Sequence, residues 1–84
     1  MRKVYQQISI KPGFMKNNGG LLFRELSEVE YEFKTTINEK HLNVSGITHG
    51  GYIASIIDAG SGTGAYRSAG NVPCVTVSLD IKFI

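Results

Sequence analysis

The sequence predicts an α+β fold, a sheet laid on one long helix, and three stretches carry that reading. Val29, Tyr31, Phe33, Thr35 and Ile37 alternate with Glu30, Glu32, Lys34, Thr36 and Asn38, the period of a half-buried strand. From Tyr52 the period changes: Ile53, Ile56, Ile57, Gly60 and Gly64 recur at helical spacing and predict a helix over about 50–67. Val75, Val77, Leu79, Ile81 and Phe83 then alternate with polar residues, which predicts a second strand over 75–84. Strand, helix and strand in that order suit a sheet packed against a single helix.

The remaining segments connect these elements. Residues 1–20 fit neither period, and Pro12-Gly13 and Asn17-Asn18-Gly19-Gly20 are loop signals, so this stretch reads as an N-terminal arm ending in a turn. Residues 38–48 carry Asn43, Ser45 and Gly46 without periodicity and form a loop leading to His49-Gly50-Gly51, where the helix opens. Glycines at 60, 62 and 64 each cost a helix about 1 kcal/mol relative to alanine, so burial must sustain it. On a helical wheel Ile53, Ile57, Gly60 and Gly64 share one side. Gly51, Asp58, Gly62 and Ala65 make the other, smooth enough for a substrate to approach and bearing one carboxylate. Residues 68–73 form a turn.

Composition excludes several classes. With 84 residues, 42% of them hydrophobic and 19% charged, the chain suits one small globular domain in which each element matters to stability. Nine basic against seven acidic residues leave a net charge of +2 with no cluster on one face, which argues against a nucleic-acid partner. No stretch reaches the roughly 20 apolar residues of a membrane span, and no apolar run follows the basic start as a signal peptide would require. A single cysteine, Cys74, cannot form an internal disulfide and reads as a small buried hydrophobe, so the expected location is cytoplasmic. His41, His49 and Cys74 lack metal-ligand spacing, so neither a metal nor another cofactor is expected. Gly60-Ser-Gly62-Thr-Gly64-Ala65 mimics a dinucleotide fingerprint, but a helix precedes it where that motif needs a strand.

Chemistry concentrates in Asn43, His49-Gly50-Gly51 and Asp58. A helix that opens on two glycines presents unpaired N–H groups and the positive end of its dipole, and Gly50 lets a carbonyl come close. Such donors stabilise an oxyanion. Asp58, two turns on, is a carboxylate on a small apolar surface, costly unless paired, hydrated or used as a base that activates water. Each residue also has a plainer reading: the glycines as a close-packed helix entry, His49 as a cap, Asn43 as a loop residue.

The pattern Asn43-x5-His49-Gly50-Gly51-x6-Asp58, followed by Pro73-x-Val75-Thr76-Val77-x-Leu79-x-Ile81-x-Phe83, resembles the hotdog-fold thioesterases of the PaaI-like and 4-hydroxybenzoyl-CoA types, over about Leu21 to Ile84. The resemblance implies a central helix wrapped by an antiparallel sheet, here the N-terminal portion (21–84) of one such domain, incomplete because the family's C-terminal strands would follow residue 84. It implies hydrolysis of an acyl-CoA or acyl-carrier thioester without metal or redox cofactor, in a homodimer or dimer of dimers paired through the strand after the helix. It further implies that the Gly50 N–H, helped by Asn43, polarises the thioester carbonyl. Asp58 of the partner subunit would activate water or attack directly, Thr76 would hold the water, and His49 would orient the loop. Gly51 and Gly62 fall on the smooth substrate side. The alternatives are a non-catalytic hotdog module that binds acyl-thioesters or only dimerises, and an inactive truncated remnant.

Overall fold

The computed structural model describes residues 3–83. Its elements are β1 (Gln6–Gln7), α1 (Phe14–Asn17), β2 (Leu22–Glu25), β3 (Tyr31–Lys34), a single 3₁₀ turn (Glu39–His41) and α2 (Gly50–Ser68). The three strands form an antiparallel sheet in the order β1-β2-β3, and α2 lies across one face.

Register decides which residues meet the helix. Phe23 pairs with Phe33 and Glu25 with Tyr31, so these four side chains share one face, while Leu22, Lys34, Arg24 and Glu32 share the other. The inner face docks on α2 through the glycines. A methyl group at Gly60 would come within 2.4 Å of the Phe33 ring, and one at Gly64 within 3.3 Å of the Tyr31 ring. Spaced four apart, the two glycines make a trough on one side of the helix that the two aromatic rings fill. Burial therefore sustains a glycine-rich helix, as the sequence requires. Arg67 closes the far end, its Nη1 2.7 Å from Glu25 and its guanidinium over the Phe23 ring, and the Tyr31 hydroxyl meets Ser68 Oγ at 2.7 Å. On the outer face Tyr5 lies against both Arg24 and Lys34.

The helix prediction holds to within a residue. The first strand is shorter than its pattern, because Val29 sits in the turn between β2 and β3 and Ile37 beyond the ladder, both exposed. In the N-terminal segment Gln6 and Gln7 pair with Phe23 and Leu22, an edge strand that the sequence pattern did not mark. The deepest core residues are Leu21 and Phe23, at 0% and 1% exposure, each worth about 1.5–3 kcal/mol of burial. The second strand is a correction. Residues 75–83 join no ladder among the described residues, and Val75 and Val77 are 89% and 95% exposed. A strand exists only by hydrogen bonding to a neighbour, and among the described residues 75–83 pair with none of β1 to β3; Ile84 lies outside the described residues. The turn before it forms as expected, with Gly70 and Asn71 in left-handed conformations (φ 75° and 65°) after the helix.

A polar knot ties the N-terminal half together. His41, 2% exposed, accepts the Asn38 N–H at Nδ1, which leaves the ring proton on Nε2 to bond the Asn18 carbonyl at 2.7 Å. The Tyr52 hydroxyl donates to the same carbonyl at 2.6 Å, and the two rings stack at 3.9 Å. Asn38 and His41 together form a capping box around the 3₁₀ turn. Among the described residues no helix is long and apolar enough to cross a membrane.

Candidate active site

Two parts of α2 carry the chemistry singled out in the sequence. At its start His49 is the N-cap and accepts the Gly51 N–H on Nδ1 at 3.0 Å. The Gly51 amide is therefore taken up by the cap, whereas the Gly50 amide has no hydrogen-bond partner among the described residues. This leaves one free donor at the positive end of a 19-residue helix. The Phe83 ring lies beside the Gly50 Cα, 3.5 Å from where a β-carbon would stand.

Two turns on, Asp58 faces outward. The sequence led us to expect a carboxylate stabilised by pairing, hydration or use; it is exposed and accepts a hydrogen bond of 2.5 Å from the Thr76 hydroxyl. Only one of its oxygens is engaged there. The pair stands on the wall of a recess of about 460 Å³ whose other walls include Ala59, Gly62, Thr63, Tyr66 and Cys74. Cys74, expected to be buried, is exposed at the edge of this recess, because the segment after α2 leaves the core; its Sγ donates to the Val72 carbonyl.

Asn43 stands apart. Its carboxamide oxygen accepts the N–H groups of Ser45 and Ile47 at 2.9 and 3.2 Å, shaping the loop before the helix and leaving Nδ2 to serve as a donor. The structure thus brings Asp58, Thr76 and Gly62 together and leaves Gly50, Gly51 and His49 at the helix start. Eight residues of helix separate Gly50 from Asp58, about 12 Å of axial rise. No single carbonyl can lie within about 3.5 Å of both in one chain.

The comparisons follow this geometry. Residues 45–84 match the family model of the thioesterase superfamily. No curated protein and no solved structure matches the chain. The match covers the α2 half of the chain. It takes in the capped helix start, Asp58 and Thr76, while Asn43 and the sheet lie ahead of it. Tyr66, Thr63 and Cys74 join the recess without having been marked in the sequence. Tyr66 follows Gly62 by one helical turn, a spacing that places both on the same side and was there to be read. Among the described residues no group of three His, Cys, Asp or Glu side chains could hold a metal ion.

Proposed function

We propose that the protein hydrolyses thioesters, acting on an acyl-CoA or acyl-carrier substrate in the manner of PaaI-like hotdog enzymes. The observation that carries this reading is the Thr76 to Asp58 hydrogen bond beside an open recess, within the stretch that matches the thioesterase superfamily. In this scheme the Gly50 N–H, with the Asn43 carboxamide donating beside it, binds the thioester carbonyl oxygen and takes up negative charge as the carbon becomes tetrahedral. Thr76, whose hydroxyl donates its hydrogen bond to Asp58, offers its lone pairs to a water molecule. The free carboxylate oxygen of Asp58 removes that water's proton as the oxygen attacks. Collapse breaks the C–S bond, and Asp58 returns the proton to the leaving thiolate, so that the products are a carboxylic acid and a thiol. His49 holds the loop and helix start in register.

The 12 Å between Gly50 and Asp58 supports building each site from two subunits, one giving the amide and the other the carboxylate. Pairing through residues 75–83 would also give the exposed Val75 and Val77 a partner. The protein then works as a homodimer or a dimer of dimers, in the cytoplasm where CoA thioesters are formed. The test is hydrolysis of an acyl-CoA panel by the full chain and by Asp58→Asn, which keeps the shape and removes the base. A fall of about 10²-fold or more is expected, the scale of losing a general base; equal rates in both proteins would sink the assignment of Asp58. One observation favours a second reading, a non-catalytic thioester-binding or dimerising module. Thr76 sits on a segment held by no ladder among the described residues, so its grip on Asp58 rests on few contacts. Substrate binding with no turnover in the wild-type chain would select that reading.

A further inference from the structure

Gly62 differs from the other glycines in the second half of α2. Gly60 and Gly64 are required by the Phe33 and Tyr31 rings, but a methyl group at Gly62 would meet nothing within 4 Å. The fold therefore carries a helix-weakening residue that its own packing does not use. The gap it leaves opens into the recess beside Asp58 and Thr76. Ala59 and Thr63, which floor that recess, also floor a second one of about 430 Å³ between α2 and the N-terminal segment, walled by Ile8, Ile10, Met15 and Leu21. Ile10 is 71% exposed there, an apolar wall left uncovered. The wall is fastened in place, because the Lys16 ammonium donates to the Ile10 carbonyl.

We propose that the acyl chain of the substrate leaves Asp58 over the gap at Gly62, crosses Ala59 and Thr63, and lies along Ile8, Ile10 and Met15. The protein then takes straight aliphatic acyl groups in preference to aromatic ones. This rests on the thioester reading of the Asp58 recess and adds the substrate class to it. The two recesses adjoin at Ala59 and Thr63, so an occupant of the first has only those two small side chains to cross to reach the second. That path bends around the helix, which a chain of methylenes follows and a rigid ring does not. Gly62 and Thr63 set the width of the crossing.

Binding of non-hydrolysable S-butyl-, S-octyl- and S-dodecyl-CoA would be measured by calorimetry for the wild type, Gly62→Val and Thr63→Phe. Hydrolysis of butanoyl-, dodecanoyl- and benzoyl-CoA would be followed in parallel. In the wild type affinity should climb from butyl to dodecyl, by up to about fourfold per methylene that becomes buried. Both variants should cut the dodecyl-to-butyl ratio at least tenfold. Gly62→Ala, which only adds a helix-favouring methyl group, should melt above the wild type and shows that position 62 is free of a folding role. An affinity that does not change with chain length, or a length dependence that both variants retain, overturns the proposal and leaves the recess as a protein contact. Length-dependent binding without hydrolysis would refute the hydrolase reading while upholding the acyl subsite.

Discussion

Gly60 and Gly62 are two positions apart in one helix and should respond oppositely to the same methyl group. At Gly60 an added carbon runs into the Phe33 ring at 2.4 Å, so Gly60→Ala should destabilise by about 2 kcal/mol, overpacking outweighing the gain in helix propensity. At Gly62 nothing opposes the carbon, and Gly62→Ala should stabilise by up to about 1 kcal/mol. Urea denaturation of the two variants checks both; a loss of similar size at both positions would mean that the Phe33 contact is not what separates them. The same scale shows how far the site was legible. Asp58 could be singled out because a carboxylate among glycines and alanines has no structural excuse, and Thr76 because it stood in a recognisable pattern. The shaping of the loop by Asn43 could not be read, since either a loop residue or a donor to substrate fits the same letter. Nor could the exposure of Cys74, which depends on whether the segment carrying it finds a neighbour.

The elements depend on contacts that lie far apart in the chain. Helix α2 was legible because its period runs over five turns, whereas β2 was missed because four residues show too little alternation, although Phe23 within it and Leu21 just ahead of it are the most buried side chains. The edge strand β1 is held by register to β2 and has almost no signal of its own. Residues 75–83 show the converse, a strong strand pattern that forms no ladder among the described residues, because a pattern specifies a face and does not name a partner. Helix α2 also depends on its cap. His49→Ala removes the acceptor for the Gly51 N–H and should lower stability by about 1 kcal/mol, while His49→Asn should recover most of it. Thermal melts of the two variants decide this, and equal losses would show that the imidazole acts through something besides the cap.

For the whole molecule the decisive property is association. The proposed mechanism requires two copies, so sedimentation velocity should show a dimer or larger species at assay concentrations. Val77→Lys, which places a charge on the exposed apolar face of the 75–83 segment, should shift the protein to monomer and abolish hydrolysis together. A folded monomer with full activity would end the two-subunit mechanism. The Tyr52 knot bears on how such experiments can be read. The chain has four tyrosines and no tryptophan, so its ultraviolet emission comes from tyrosine alone. Tyr52 is pressed flat on the His41 ring with its hydroxyl on the Asn18 carbonyl, so its surroundings change when this contact breaks. Because that one ring joins the turn after α1, the 3₁₀ turn and the first turn of α2, a change in its emission would mark the moment these three part company. With the other three tyrosines replaced by phenylalanine, that ring becomes an optical gauge of the protein's own cohesion, readable without an added label.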